Sequence, residues 1–403
     1  MRDRILFLSW ESPWPAFGGA GIRRLGLLCE LGKAYQVELL VLARQPLSKE
    51  QSAKLSKLAQ SVTRIPLKDV SAINKVQAMV HMLVQRLPYH SAVLASSLLG
   101  HPDFRRRIDD FSGIVFTSNG HWGTLIRYRR ASNWILNQCD ADVDFWRVYA
   151  SQVEHPLEKA AALINCRFSL PLYRQIYRNA GRIISVCEED KHLTRELAPD
   201  AQIDIIENGV DCSYYVPNKG QHACQPPILL FTGTSAARNV KALRWLTDQV
   251  LPLIRKQIPN VELLIGGDFH PKTQKLFKDV QNIQFTGRVD DIRPCFHKSH
   301  VYVAPFPQTH GTKVKIAEAM AMGMAIVSRP EGIRGYPLVD GESVLVAETP
   351  EAFADGCIKL LRDTSLREKL EISARQIAMK TVDWKILGER LRSIVNEHLM
   401  KLS

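Results

Sequence analysis

The chain has 403 residues, with 53 Lys+Arg against 41 Asp+Glu and a formal charge of +12. At roughly 100–200 residues per domain, that length predicts two domains, or three. An apolar share of 45% and a charged share of 23% are ordinary for a globular chain, which excludes collagen-like, disordered and disulfide-rich classes. No apolar run approaches the roughly 20 residues needed to span a bilayer.

In chain order, Ile5-Leu6-Phe7-Leu8 is apolar but is broken by Ser9-Trp10-Glu11-Ser12-Pro13, too soon for a signal peptide. A buried strand is expected there. A Pro-containing loop leads to Gly18-Gly19-Ala20-Gly21, after which Ile22, Leu25, Leu28 and Leu31 recur at helical spacing. Residues 37–42 form the next apolar run, completing a βαβ unit and predicting a parallel sheet. Further strands are expected at 62–65, 114–117, 134–137 and 182–186, with helices near 50–60, 71–86, 121–130 and 155–179. The turn Asn208-Gly209-Val210-Asp211 and the Pro-rich passage from Pro217 to Pro227 mark a domain boundary.

A second α/β series follows. Strands are expected at 228–233, 261–267, 283–285, 301–305, 325–328 and 343–346. Helices are expected at 240–257, 313–322 and 350–362, with two more near 365–379 and 384–401. The expected domains are 1–212, 226–382 and a final helix over 383–403. Parallel sheets take ligands outside the carboxyl ends of their strands. Two such domains therefore predict a bilobed enzyme with a site bridged between them.

Eight cysteines are scattered with no CxxC pair, which gives no support to a zinc site and fits reduced, buried thiols in a cytoplasmic protein. The basic excess is even: 27 Lys+Arg against 21 Asp+Glu over 1–210, and 26 against 20 over 211–403. An even spread without an aromatic-basic motif argues against nucleic acid as a partner. Local clusters at Arg105–Arg107, at Arg127, Arg129 and Arg130, and from Lys159 to Arg182 favour anionic partners or an anionic membrane face.

The Gly18-Gly19-Ala20-Gly21 turn opens a helix whose free N–H groups could meet a phosphate. Its spacing does not fit GxGxxG, so a dinucleotide-dependent dehydrogenase is poorly supported. A stronger signal runs from Pro305 to Ser328. Gly311-Thr312 opens a helix with Lys313 and Lys315 in its first turn, where cations oppose the helix dipole unless an anion binds. Glu318, on the same helix, can accept hydrogen bonds from a ribose diol. Asp140, Asp142 and Asp144 alternate after a strand. They lack the glycine and the terminal glutamate of a calcium loop, so an acceptor-side or structural loop is preferred over a cation site. Trp122, Trp134, Trp146 and Tyr149 can stack on a sugar or a lipid, or belong to the core.

These motifs resemble those of GT-B glycosyltransferases of the family 4 type. The pieces are the GGAG turn, ENGVD at 207–211, FTG at 231–233, FTGRVDDI at 285–292, GTKVKIAEAMAMGMAIVS at 311–328 and EGIRGYPLVDGESVLV after it. They fall in order along nearly the whole chain, and GTKVK most resembles bacterial exopolysaccharide sugar transferases. The resemblance implies two Rossmann-like parallel-sheet domains facing across a cleft and a last helix crossing back to the first domain. It implies retaining, metal-independent transfer of a hexose from a nucleoside-diphosphate sugar to a glycan or lipid-linked acceptor. No cofactor is implied. The chain would act in the cytoplasm, including at the inner face of the plasma membrane.

By position, Glu318 resembles the second motif glutamate, which holds the donor ribose. His310 stands where the first glutamate is expected, so it becomes a catalytic candidate with His121, which resembles a first-domain histidine near the reacting sugar. Gly18, Gly19, Gly233, Arg238, Lys241, Gly311, Thr312 and Lys313 join Glu318 as donor-binding candidates. Asp140, Asp142 and Glu188 are acceptor-side candidates. A GT-B epimerase or phosphorylase, and a binder of nucleotide sugar or glycan without turnover, remain as alternatives.

Overall fold

The computed structural model describes residues 3–67, 80, 82–99, 101–139, 146–147, 149–151, 153, 155–218, 226–306 and 311–402. Two compact units divide the chain: 1–207 with 387–403, and 208–386.

In the first unit seven strands form one parallel sheet: β1 (Arg4–Trp10), β2 (Gln36–Ala43), β3 (Ser61–Pro66), β4 (Ile114–Thr117), β5 (Ala131–Asn137), β6 (Ala180–Ser185) and β7 (Ile203–Ile205). Their order is β3-β2-β1-β4-β5-β6-β7. Every residue from Ile5 to Leu8 is fully buried, because helices cover both faces of the sheet. Register puts Phe7 beside Leu39 and Phe116, and the Phe7 and Phe116 rings stack at 5.5 Å.

Two details depart from the sequence reading. The three-residue edge strand β7 was not anticipated; it is too short to show a pattern of its own and exists by pairing Ile203 with Ile183. The helix expected over 121–130 is a 3-10 turn, Gly120–Ile126. Gly123 explains the tight path: a Cβ there would lie 2.3 Å from Ile176 of the Pro156–Asn179 helix.

Residues 387–402 of the last helix, Trp384–Leu402, pack within the first unit. Arg392 pairs with Glu30 at 2.7 Å, Tyr35 donates to Asn396 at 2.7 Å, and buried Arg182 bridges Asp204 at 2.5 Å and Glu397 at 2.9 Å. Gly388 is required because a Cβ would meet the Glu30 carboxylate at 2.0 Å.

The second unit has six parallel strands: β8 (Ile228–Thr232), β9 (Glu262–Gly266), β10 (Ile283–Phe285), β11 (Val301–Ala304), β12 (Ala325–Ser328) and β13 (Leu345–Val346). Their order is β10-β9-β8-β11-β12-β13. The helix expected over 240–257 is interrupted. Ala237–Trp245 passes into a π-turn, Leu246–Val250, and then Leu251–Gln257. Pro252 has no N–H to donate to the preceding turn, so the ladder widens there.

Gly267, after β9, has φ +115°, and a Cβ on it would stand 2.2 Å from the Gly233 carbonyl. Gly267→Ala should therefore destabilise the chain by on the order of 2–4 kcal/mol in urea unfolding. A loss below about 0.5 kcal/mol would mean that the two turns are not locked together as described.

Candidate donor and acceptor sites

The second sheet reverses its strand order between β8 and β11. Connections leave those two strands in opposite directions, which opens a crevice at their carboxyl ends. The sequence places Gly233 after β8 and Gly311 after β11, both in reach of that crevice. Gly233 donates its N–H to Gly266 at 2.9 Å, and Gly311 has φ +63°.

Two helices begin there, Ala237–Trp245 and Val314–Ala321. Neither has a side-chain cap or an acidic residue in its first turn, so free N–H groups and positive dipole remain available to an anion. Lys315 joins them. Its ammonium donates to the Thr232 carbonyl at 2.8 Å and to Asn239 Oδ1 at 3.2 Å, and it lies 4.6 Å from the Phe306 ring centre. Burial, aided by the charge of Arg238, lowers its pKa to about 7. Buried Asn239 also donates to the Thr234 carbonyl at 3.1 Å, so it ties the turn after β8 to the lysine.

One turn beyond Lys315, Glu318 accepts a hydrogen bond from the Tyr215 hydroxyl at 2.8 Å. Burial raises its carboxyl pKa, while Tyr215 and Lys315 oppose that shift. Thr312 is buried, and its hydroxyl accepts from Asn208 at 2.6 Å. Lys313 caps the Val314–Ala321 helix. Its ammonium reaches the Gly311 carbonyl at 3.3 Å, and its own carbonyl accepts from the Tyr336 hydroxyl at 2.9 Å. Arg238 is exposed in the first turn of its helix.

Gly233, Arg238, Gly311, Thr312, Lys313 and Glu318 thus gather around one crevice. Lys241 is exposed one turn along the helix from Arg238 and makes no hydrogen bond or ion pair among the described residues. Lys315 was read as part of the motif but not as a site residue. Its i, i+3 spacing from Glu318, which puts the two on one helix face, was the available signal. Tyr215 and Asn239 carried no signal, and Asn208 was read only as part of a turn and motif, because the roles of all three come from contacts with distant segments.

The first sheet reverses between β1 and β4. Ser118, just after β4, accepts from the Trp10 N–H at 3.1 Å. His121 Nδ1 is 3.0 Å from the Tyr173 hydroxyl. The His121 ring lies 5.0 Å from that of His90 and 5.8 Å from Trp10, and His90 stacks on Trp146 at 5.8 Å. Burial pushes the pKa of both histidines down to about 4, so both are neutral at pH 7.

Gly18 and Gly19 are exposed at the start of the Gly18–Ala34 helix, which lacks a side-chain cap. Arg23, on that helix and 1% exposed, fastens it by donating to Asn137 Oδ1 at 2.7 Å and to the Ile206 carbonyl at 2.8 Å. Glu188 is exposed at the head of Glu188–Leu197, 3.4 Å from Lys191. Trp122 and Trp134 are core residues, whereas Trp146 and Tyr149 belong to the surface aromatic group. His310, Asp140, Asp142 and Asp144 lie outside the described residues. Among the described residues no group of three or more His, Cys, Asp and Glu is placed to hold a metal ion. No described helix is long and apolar enough to cross a membrane.

The two neutral histidines carry a pH prediction. Between pH 6.5 and about 4 the unfolded chain binds protons that the folded chain excludes, so stability is lost as pH falls through that window. The melting temperature should drop from pH 7 to pH 4, and His121→Gln should shrink the contribution of this pair by about half. An unchanged pH slope in His121→Gln would mean that the ring is not held neutral by burial.

Residues 226–363 match the family model described as Glycosyl transferases group 1. Among solved structures the whole chain is similar to sucrose-phosphate synthase from Thermosynechococcus elongatus, with 16% identity, 100% of each chain covered and a TM-score of 0.73. It is similar to Anabaena HepE in complex with UDP-glucose, with 13% identity over 98% of this chain and 100% of the other, at a TM-score of 0.69. WaaG, a glycosyltransferase involved in lipopolysaccharide biosynthesis, gives 15% identity, 97% and 99% coverage and a TM-score of 0.64. A curated relative from Klebsiella pneumoniae, an uncharacterized 44.6 kDa protein in the cps region, is 22% identical over 173 residues. That match spans 41% of this chain and only 44% of the relative's length.

The fold of the whole chain is therefore that of the GT-B structures it resembles. The segment that matches the group 1 model, residues 226–363, is the one that holds the crevice with Lys315 and Glu318.

Proposed function

We propose that this protein transfers a hexose, with retention of configuration and without a metal ion, from a nucleoside-diphosphate sugar to a glycan or lipid-linked acceptor. The acceptor would belong to envelope or exopolysaccharide synthesis at the inner membrane face. The observation that carries this reading is the grouping of two uncapped helix N-termini, Lys315 and Glu318 at one strand-order reversal. The similarity to HepE bound to UDP-glucose, to WaaG and to a cps-region protein supports the substrate class.

In this reading the helix N–H groups, Arg238, Lys313 and Lys315 receive the diphosphate, and Glu318 receives the ribose hydroxyls. Transfer breaks the bond between the anomeric carbon and the diphosphate oxygen. It forms a bond from that carbon to an acceptor hydroxyl, whose proton passes to the departing phosphate oxygen. Preorganised cations and N–H groups stabilise the charge that develops on the leaving diphosphate. His121, neutral at pH 7, can accept or donate a hydrogen bond to a sugar hydroxyl without introducing charge.

The test is a panel of UDP-, GDP- and ADP-sugars, assayed for binding and turnover with and without EDTA. Selective binding and EDTA-indifferent turnover are expected. Turnover that requires a divalent ion would end the metal-independent reading. Binding without any turnover would favour a non-catalytic binder, the second reading, which His310 in place of the motif glutamate keeps in view.

A further inference from the structure

We propose that Arg86, Arg127 and Arg167 in the first unit form a pocket for the phosphate of an anionic lipid headgroup, with exposed apolar side chains on the adjoining segments entering the lipid surface. This deepens only the membrane part of the function proposed above and does not depend on the donor chemistry.

The pocket encloses about 460 Å³ and is lined by those three arginines together with Gln85, Tyr128 and Gln175, among others. Among the described residues that line it, none is acidic. Nearby Arg105 and Arg129 are both paired with Asp109, but none of the three pocket arginines is paired with a carboxylate among the described residues. Arg127 holds Gln85 Oε1 at 2.8 Å and lies 4.6 Å from the Tyr128 ring centre. Its Nη1 is buried and has no hydrogen-bond partner. A buried guanidinium N–H without an acceptor is costly, and an anion in the pocket would supply one. Burial lowers the pKa of the Arg127 cation, Tyr128 opposes that shift, and the like charge of Arg105 adds a smaller push in the same direction as burial.

The adjoining segments explain why the anion should sit on a membrane. Along the Pro156–Asn179 helix, Leu163, Arg167, Leu170 and Arg174 share one face at i, i+4, i+7 and i+11. Leu163 and Leu170 are exposed there. Leu83 and Val84, beside Gln85 and Arg86, are 57% and 77% exposed, and Tyr128 is 77% exposed. Exposed leucine, valine and tyrosine beside unpaired arginines form an interfacial pattern: apolar groups enter the acyl boundary and cations meet anionic headgroups. A soluble phosphate would require the arginines but would leave the exposed apolar side chains without a role.

The test is sedimentation of the full chain with phosphatidylcholine vesicles and with the same vesicles containing phosphatidylglycerol. Binding is expected only to the anionic vesicles, and it should weaken as salt rises. The double substitution Arg127→Gln with Arg167→Gln should lower partitioning roughly thirtyfold, at about 1 kcal/mol for each cation. Arg127→Lys should retain most of the binding, which controls for folding. Lys272→Gln with Lys278→Gln, an equal charge change in the second unit, should have little effect.

Equal losses from the two double variants would replace the pocket with a general charge effect. Failure of the unaltered protein to bind anionic vesicles would overturn the proposal. So would calorimetric binding of inorganic phosphate, abolished by Arg127→Gln, without vesicle binding. Nucleotide-sugar binding, measured in parallel, should persist in every variant, so failure here is distinguishable from failure of the donor site.

Discussion

Glu318→Ala should weaken nucleotide-sugar binding by at least about 100-fold. Two hydrogen bonds from a ribose diol to a carboxylate contribute about 1.5–3 kcal/mol each, and each 1.4 kcal/mol is a factor of ten. The side chain is already held for this role: it is half-buried, the Tyr215 hydroxyl donates to it at 2.8 Å, and Tyr215 and Lys315 favour its ionised form against the burial that raises its pKa. Glu318→Gln keeps the shape and one acceptor oxygen, so a loss of about tenfold is expected. Glu318→Gln keeps an acceptor for the Tyr215 hydroxyl and should leave stability nearly unchanged, whereas Glu318→Ala orphans that hydroxyl and should cost about 1–3 kcal/mol without unfolding the chain. Calorimetric titration beside a melting curve checks both statements. Affinity for Glu318→Ala within about threefold of the unaltered protein would remove this residue from the donor site.

Lys315 should take up close to one proton when a nucleoside diphosphate binds at pH 8. In the free protein burial holds its pKa near 7, so the amine is largely neutral at that pH. An arriving diphosphate favours the ammonium and raises that value. Affinity should then fall by about tenfold per pH unit above 7, until the pKa of the complex is reached. Stability of the free protein should change in the opposite sense. Between about 7 and the ordinary 10.5, the unfolded chain keeps a proton that the folded chain has lost, so stability rises with pH.

The opposed slopes separate a lysine that meets the ligand from one that is merely buried. Binding enthalpies measured in buffers of different ionisation enthalpy report the proton directly. Lys315→Met keeps an unbranched chain against Phe306 and should abolish the uptake. Buffer-independent enthalpies in the unaltered protein would exclude Lys315 from the diphosphate site.

Much of this architecture was legible in the sequence. Strands such as Ile114–Thr117, Ile283–Phe285 and Ala325–Ser328 stand where apolar runs between turn signals placed them, and the Pro350–Arg362 helix begins at its proline. These elements are set by local chemistry. Gly123 and Pro252 produced the departures: the first imposes a tight packing distance, and the second removes a hydrogen-bond donor inside an otherwise helical pattern. Of the candidate site, Glu318 and the Gly311–Lys313 turn were readable because motif spacing and helix register are local properties.

By itself, then, the sequence determined the alternation of strand and helix, the existence of two α/β series, and the positions of the glycine turns, since apolar periodicity and backbone constraints act over a few residues. Only the tertiary structure decided that Lys315 is half-buried against Thr232 and Asn239 with its pKa lowered to about 7. It likewise decided that Thr312 is engaged by Asn208, that Tyr215 holds Glu318, and that His121 and His90 are packed as neutral rings. Desolvation and hydrogen-bond partnership depend on which distant segments close around a side chain, and only the folded arrangement of the strands brings those segments together.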